Sequence, residues 1–151
     1  MPHFYVRILI YWWKQQYFSV KWENALSFKY KTEKGVRQGG ILSPYLFNVY
    51  MDELGKKLWE LKIGCRIGKV MSNNFWNADD ICLLAPSIRA VQKMINICFD
   101  YAKEPNITFN PSKTVCQIFK SKNCTTSVGN VYMDSNKLNW VTQFNYLGYI
   151  F

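Results

Sequence analysis

The sequence predicts an α+β fold, in which helices pack on one face of an antiparallel sheet. The chain has 151 residues, the size of one domain, of which 49% are hydrophobic and 19% charged. This composition is sufficient for a buried core and is unlike that of disordered chains. Apolar residues recur at helical spacing in three segments, and short apolar runs separated by turn residues lie between and after them.

Three segments are predicted to be helices. Residues 4–18 are rich in apolar side chains. The second helix begins at Ser43-Pro44, because serine can accept a backbone N–H as N-cap and proline lacks a donor that the first turn does not need. Its apolar residues follow at helical spacing: Phe47, Tyr50, Met51, Leu54, Leu58 and Leu61. Ser87 caps the third helix, and Pro105 ends it. One face of that helix comprises Val91, Met94, Ile95, Cys98 and Tyr101.

Short apolar or alternating runs predict strands. They cover residues 20–22, 26–30, 65–70, 75–76, 81–84, 115–119, 130–133 and 137–140. Turn residues at 23–25, 77–80 and 134–136 join three pairs of these runs into hairpins. The whole chain is therefore expected to form one continuous unit, residues 1–151.

The charge of the chain is strongly basic, with a net charge of +9. Seven of the lysines and arginines lie in residues 1–40, against Glu23 and Glu33. Such a stretch suits a polyanion such as nucleic acid, although a basic protein without such a partner is about equally compatible with charge alone. Aromatic residues, at 17%, can stack on bases, but most are expected in the core.

The apolar runs, the cysteines and the histidine of the sequence exclude several classes of protein. The longest apolar run, residues 8–13, is far shorter than the roughly 20 residues of a membrane span, and no signal-peptide layout is found. The odd number of cysteines without C-x-x-C spacing predicts reduced thiols in an intracellular compartment, nucleus or cytoplasm. These cysteines are Cys65, Cys82, Cys98, Cys116 and Cys124. With His3 as the one histidine, a Ser-His-Asp or Cys-His mechanism lacks its base.

The adjacent carboxylates Asp79 and Asp80 are the first candidate site. They lie between apolar strands, where charge is costly unless it is exposed at a turn or bound to cations. A tight turn can bring both carboxylates near one point, and paired oxygen ligands suit Mg²⁺ in phosphoryl transfer. Taken alone, a solvated turn is the more frequent explanation of such a pair.

The loop before the second predicted helix is the second candidate. Gly39 and Gly40 allow the backbone to approach a ligand closely, and Arg37 offers a planar fork for phosphate. Gln38 can donate and accept hydrogen bonds, and the helix N-terminus at Ser43 favours anions. An ordinary basic loop before a capped helix explains these residues about equally well.

Lys113, within Asn-Pro-Ser-Lys-Thr, is the third candidate. A lysine close to a phosphate chain can stabilise charge or donate a proton to a pyrophosphate leaving group. Alone, it is more simply a solvated turn lysine. The final Tyr-Leu-Gly at 146–148 has no meaning by itself.

The order of these blocks carries a resemblance. Gly-Val-Arg-Gln-Gly-Gly-Ile-Leu-Ser-Pro at 35–44, Ala-Asp-Asp at 78–80, Asn-Pro-Ser-Lys-Thr at 110–114 and Tyr-Leu-Gly at 146–148 follow one another. Together they closely resemble the reverse transcriptase of non-LTR retrotransposons, over nearly the whole chain. The resemblance implies a partial polymerase palm with a small remnant of the fingers.

The resemblance also implies roles for single residues. Asp79 and Asp80 match the catalytic pair that binds Mg²⁺ at the tip of a palm hairpin, and Lys113 matches a candidate general acid. The residues that match blocks beside the incoming nucleotide and the template-primer are Arg37, Gln38, Gly39, Gly40, Ser43, Tyr146 and Gly148. The implied reaction is attack of a DNA primer 3′-hydroxyl on a deoxynucleoside triphosphate, with RNA as template.

The match departs from the family at identifiable places. The family has a further metal-binding aspartate in an earlier palm segment, which this chain does not contain, and Asn77 stands where an aromatic residue is usual. The resemblance does not include a thumb, an endonuclease or a ribonuclease module. We therefore expect this polypeptide to be inactive on its own. A non-catalytic nucleic-acid-binding remnant and a translated pseudogene are the alternatives, and the oligomeric state stays open.

Overall fold

The computed structural model describes residues 2–32, 35–103, 107–119 and 128–151. It contains two compact units, Met1–Pro44 and Tyr45–Phe151. The described helices are α1 at His3–Lys14, α2 at Ser43–Glu60 and α3 at Ile88–Lys103. None of the helices in the described part of the chain has the length and apolar character to cross a bilayer. The predicted helix end at Pro105 lies outside the described residues.

Short strands make up the rest of the regular structure. The fourteen strands of the described residues are β1 (Tyr17–Phe18), β2 (Lys21–Trp22), β3 (Ala25–Leu26), β4 (Tyr30–Lys31), β5 (Cys65–Ile67), β6 (Val70–Ser72), β7 (Asn74–Asn77), β8 (Asp80–Leu83), β9 (Val115–Gln117), β10 (Tyr132–Met133), β11 (Asn136–Lys137), β12 (Asn139–Val141), β13 (Asn145–Tyr146) and β14 (Tyr149–Ile150). The predicted mixture of helices and strands is thus confirmed.

The strands pair two by two in the described residues and do not join into one sheet. Six pairs are antiparallel, whereas β9 and β12 run parallel. The predicted hairpin of residues 130–140 is therefore shorter than expected: β10 and β11 turn at Asp134-Ser135, and the following residues cross to β9. The predicted helix over 4–18 is wrong beyond Lys14, because Tyr17 and Phe18 pair with β4.

The central element of the second unit is α3, which contributes residues to two hydrophobic clusters. Ser87 Oγ accepts a hydrogen bond from the Ala90 N–H at 3.3 Å, which confirms the predicted N-cap. One cluster joins α3 to α2 and comprises Met51, Leu54, Leu58, Met94, Cys98 and Tyr101. The other joins α3 to the strands after it and comprises Ile95, Cys116, Val131, Met133 and Leu138. The predicted apolar faces of α2 and α3 supply all six buried residues of the first cluster, whereas they supply only Ile95 among the five of the second.

The first unit has a different character, because none of the residues of α1 is buried. Most aromatic side chains of the described residues are exposed, and among them only Tyr101, at 8% exposure, is buried. The expectation that most aromatic residues lie in the core is therefore wrong. The reason is visible along α1 and the strands after it, which present rings to solvent instead of to a facing layer.

The thiols behave as structural side chains. Cys65, Cys82, Cys98 and Cys116 are free, as predicted, and Cys124 lies outside the described residues. Burial raises the pKa of Cys98 to about 12, and it also raises the pKa of Cys82 and Cys116. Because the thiolate is the reactive form, burial keeps these three thiols inert near neutral pH.

Asn73 is the buried polar residue that ties the strands to α2. Its side chain is 2% exposed, and its Nδ2 donates to the Leu58 carbonyl at 2.7 Å. Its own carbonyl accepts the Leu84 N–H at 2.8 Å. A side chain at Gly64 would place its Cβ 2.5 Å from the Asn73 Cβ, so only glycine allows this approach.

Replacing Asn73 with alanine is expected to lower the free energy of unfolding by about 1–3 kcal/mol, because the buried Leu58 carbonyl loses its partner. Urea denaturation followed by circular dichroism measures this change. Asn136→Ala, at an exposed asparagine, is the matched control and should shift stability by less than about 0.5 kcal/mol. Equal effects of the two substitutions would contradict the assigned role of Asn73.

Candidate functional site

The predicted carboxylate pair lies at the tip of the β7–β8 hairpin. Asn77 pairs with Asp80, which leaves Ala78 and Asp79 as a two-residue turn, tighter than the predicted four-residue junction. Turns of this length require a positive φ at their first central residue, and Ala78 has φ 51°. The hairpin thus holds a non-glycine residue in the left-handed region, which costs about 1–2 kcal/mol.

Both carboxylates are accessible to solvent. Asp79 lies in the turn and Asp80 begins β8, and both side chains are exposed. Among the described residues neither one forms an ion pair, whereas Asp52, Glu53 and Asp100 pair with lysines one helical turn away. Two exposed carboxylates provide the hard oxygen donors that Mg²⁺ accepts, so the residues fit that ion. No cluster of three or more His, Cys, Asp or Glu side chains exists in the part of the chain that the structure describes.

A chain of hydrogen bonds supports the base of this hairpin. The Trp76 indole donates to Asn74 Oδ1, Asn74 Nδ2 donates to Asn73 Oδ1 at 2.6 Å, and Asn73 donates to Leu58. Sequence reasoning missed Asn73 and Asn74. Adjacent asparagines are typical of turns, and burial of one of them depends on the tertiary packing.

Tyr146 is a further predicted site residue of the second unit, and the charge of Asp80 acts on its phenol. It lies in the β13–β14 hairpin, whose turn is formed by Leu147 at φ 53° and Gly148 at φ 81°. Burial raises the pKa of Tyr146, and the negative charges of Cys82 and Asp80 raise it further.

Lys113 lies in a separate turn of the second unit. The Asn110 carbonyl accepts the Lys113 N–H at 3.2 Å and the Thr114 hydroxyl at 2.9 Å, and Asn110 Oδ1 accepts the Ser112 N–H at 3.0 Å. These are the backbone bonds for which Asn and Ser are favoured in turns. The Lys113 side chain is exposed, and the geometry gives it no described link to the carboxylates.

The glycine-flanked loop belongs to the first unit. Gly39 has φ 74°, and a Cβ on Gly40 would lie 2.7 Å from Ser43 Oγ and 3.1 Å from the Arg37 carbonyl. The positive φ of Gly39 favours glycine, and a side chain at Gly40 would displace the Ser43 hydroxyl and crowd the Arg37 carbonyl. Gln38 lies in this turn with its side chain exposed.

Ser43 differs from its predicted role. It is the first helical residue of α2, and its hydroxyl donates a hydrogen bond to the Arg37 carbonyl. The turn at Gly40 brings that carbonyl within reach, so the serine fastens the loop to the helix. The Arg37 guanidinium lies 5.9 Å from the centroid of the Phe18 ring, a cation–π contact that leaves the group exposed.

Comparison with known proteins decides the family. The family model for reverse transcriptase (RNA-dependent DNA polymerase) matches residues 2–151. The chain belongs to the reverse transcriptase family. It is similar to the retrovirus-related Pol polyprotein from type-2 retrotransposable element R2DM of Drosophila melanogaster, with 30% identity over 95 residues. Those residues are 63% of this chain and 9% of that polyprotein, so the match spans a small part of the relative's length.

The predicted non-LTR reverse transcriptase domain is confirmed by these two matches. Reverse transcriptases in general act on a nucleic-acid template and primer with nucleotide substrates, and they generally use divalent metal ions. The exposed carboxylates at the β7–β8 turn are of the residue type that such ions require.

Replacing Ala78 with glycine is expected to raise the free energy of unfolding by roughly 0.5–1 kcal/mol, since relief of left-handed strain exceeds the added entropy of the unfolded chain. The measurement is chemical denaturation. Ala90→Gly, in α3, is the matched control and should lower stability by about 1 kcal/mol. Destabilisation by both changes would argue against the strained turn.

Proposed function

We propose that this domain is the palm part of a polymerase that copies RNA into DNA, with the β7–β8 hairpin as its catalytic tip. The observation that carries the proposal is the pair of exposed carboxylates, Asp79 and Asp80, at a two-residue turn in a chain of the reverse transcriptase family. The buried base and the solvated tip of this hairpin are what a catalytic loop needs, because the reacting groups must be held firmly yet stay accessible.

The proposed reaction is nucleotidyl transfer. The 3′-hydroxyl oxygen of a DNA primer loses its proton to water and attacks the α-phosphorus of a deoxynucleoside triphosphate. The bond from that phosphorus to the bridging oxygen breaks, and pyrophosphate leaves. Asp79 and Asp80 would hold Mg²⁺. Bound there, this ion supplies positive charge that neutralises the phosphate oxygens.

Other residues are assigned to binding and proton transfer in this proposal. The Arg37 guanidinium and the Gln38 amide bind phosphate and nucleotide, and Gly39, Gly40 and Ser43 fix the loop that presents them. Lys113 donates a proton to pyrophosphate. Tyr146 and Gly148 position the primer. Both lie in the β13–β14 hairpin, and the pKa of the Tyr146 phenol is raised by burial and by the charge of Asp80. The proposed partners are an RNA template and a DNA primer. The proposed location is inside the cell.

We also propose that the 151-residue polypeptide does not complete the reaction alone. The hairpin offers two carboxylates, and the described residues contain no third ligand grouped with them. Two carboxylates leave phosphate charge less well neutralised than a fuller ligand set does, so capture of the ions is weak.

Mn²⁺ is the probe that tests the metal site in the chain as it exists. We expect it to broaden the backbone amide resonances of Ala78, Asp79 and Asp80 first, because a carboxylate-bound paramagnetic ion relaxes its nearest nuclei. Asp79→Asn/Asp80→Asn should abolish this effect. Asp52→Asn/Asp134→Asn removes the same charge from exposed acids elsewhere and should leave it intact. Broadening that ignores the hairpin would contradict the catalytic proposal.

Primer extension tests the proposed inactivity. Purified protein with a primed RNA template, magnesium and all four deoxynucleotides is expected to give no product above background. Extension that disappears in Asp79→Ala and Asp80→Ala would show that the chain carries a complete site. Such a result would overturn the proposed inactivity while supporting the polymerase assignment.

A non-catalytic nucleic-acid-binding domain is the second candidate function. The first unit favours this function, because it carries several basic residues. Those in its described part are Arg7, Lys14, Lys21, Lys29, Lys31 and Arg37. Phosphate contacts release counterions, so this function predicts affinity that falls steeply with salt. Binding without metal capture at Asp79 and Asp80 would favour this candidate over the polymerase.

A further inference from the structure

We propose that the outer edge of β7, the edge that faces away from β8, is a docking surface for a second copy of this chain. The two β7 strands pair antiparallel about Phe75 and join two hairpins into one four-stranded sheet. The proposal concerns the second unit only. It does not rest on the proposed catalysis, because self-association is measured without metal, nucleotide or nucleic acid.

The backbone of β7 bonds to β8 at every second residue. In an antiparallel pair, the residues between these positions direct their N–H and C=O groups away from the partner strand. Asn77 faces Asp80 across the two-residue turn and is therefore a bonded position. The Asn73 carbonyl accepts the Leu84 N–H at 2.8 Å, which gives the same phase four residues earlier.

The two residues out of phase with these, Asn74 and Trp76, direct their backbone groups to the outer edge. Among the described residues no strand pairs with β7 on that side. Its sequence, Asn-Phe-Trp-Asn, also lacks the lysine or proline that commonly protects an exposed edge. Unpaired N–H and C=O groups of this kind are a template for an added strand.

Space for an added strand lies beside this edge. A cavity of about 470 Å³ lies between α2 and β7. Its apolar lining comprises Met51, Gly55, Trp59 and Trp76. The helix therefore leaves the edge of β7 open, and the helix-facing side chains of an added strand have room to enter.

The register of self-pairing follows from the direction of the backbone groups. When Phe75 opposes Phe75 of the second copy, Asn74 opposes Trp76 of that copy. Each of the two Asn74–Trp76 pairs then exchanges two hydrogen bonds, so every outward N–H and C=O group of both residues is used. The contact is isologous, with its two-fold axis between the phenylalanines.

Phe75 makes a second copy the favoured occupant of this edge. Its side chain is 47% exposed and alternates with Trp76, which packs toward the cluster between α2 and α3. In the self-paired register the two phenylalanines form a non-hydrogen-bonded pair, in which cross-strand side chains lie closest. Aromatic side chains stabilise such pairs, so each copy covers exposed apolar surface of the other.

The distribution of charge also permits two copies to meet at this edge. The chain has a net charge of +9, yet β7 is uncharged. The helix beside it has three acids against two lysines, namely Asp52, Glu53, Glu60, Lys56 and Lys57. Like-charge repulsion between two copies is therefore low here, and an uncharged edge offers no attraction for a polyanion.

Sedimentation velocity of the full chain measures self-association between about 10 μM and 1 mM. About 0.3 M salt screens the long-range repulsion between two basic chains. We expect a monomer–dimer equilibrium, because two-fold pairing uses the β7 edge of both copies. A chain that stays monomeric over this range would overturn the proposal, and so would growth into open-ended polymers.

Hydrogen exchange followed by NMR locates the contact in the unaltered chain. The Asn74 and Trp76 amides should exchange about tenfold more slowly in concentrated than in dilute protein, because they gain partners only in the dimer. The Phe75 and Asn77 amides already bond to β8 and should change much less. Dimerisation that leaves the Asn74 and Trp76 amides unprotected would contradict edge pairing.

Phe75→Lys sets like charges opposite each other at the two-fold axis and should weaken dimerisation about tenfold. Phe75→Tyr keeps the ring and should dimerise like the parent chain. Phe119→Lys, at a phenylalanine that is 73% exposed in the same unit, is the matched control and should leave the Kd unchanged. Thermal melts establish that the fold of each variant persists.

Asp79→Asn/Asp80→Asn separates the dimer from the proposed function, since it should abolish metal capture and leave self-association intact. Equal dimerisation of the Phe75→Lys and Phe119→Lys variants would rule out pairing about Phe75 even where the hairpin captures Mn²⁺. Loss of metal capture in a chain that still dimerises through β7 would count against the catalytic proposal alone.

Discussion

The hairpin that carries Asp79 and Asp80 depends on one buried amide. An α-helix leaves its last four carbonyls without partners inside the helix, and the Leu58 carbonyl is one of these in α2. Asn73, the residue immediately before β7, donates to it. This hydrogen bond satisfies one of the four carbonyls and links the end of α2 to the start of the hairpin. Gly64 makes the approach possible because any Cβ there would collide with Asn73.

The consequence is a hairpin with a firm base and an exposed tip. Trp76, Ile81 and Leu83 pack against the cluster between α2 and α3, while the two aspartates keep contact with water. Burial of either carboxylate would cost several kcal/mol without a partner, so charge can be concentrated only at the tip. Burial raises the pKa of Tyr146, and the charge of Asp80 adds to this effect.

Features set by neighbouring residues could be predicted from the sequence. The cap at Ser87, the apolar face of α3 and the turn before Asp80 depend on spacings of a few residues, and all three are present. Features that depend on residues distant in the sequence could not be predicted in this way. Tyr17 and Phe18 continue an apolar helical pattern, yet pairing with β4 makes them a strand. The Asp79 and Asp80 carboxylates could be identified from their residue type and their order in the sequence. The Asn73 amide that anchors them could not, because its role arises only when β7 meets α2.

Aromatic residues show why composition alone misplaces them. In the second unit Trp76 and Tyr101 pack against the core, because helices and strands face each other there. In the first unit no residue of α1 is buried, and β1–β4 form pairs of two strands, too few to be stable without a further layer. The same ring that fills a core in one unit is exposed in the other. The exposed rings therefore reflect the topology of the first unit.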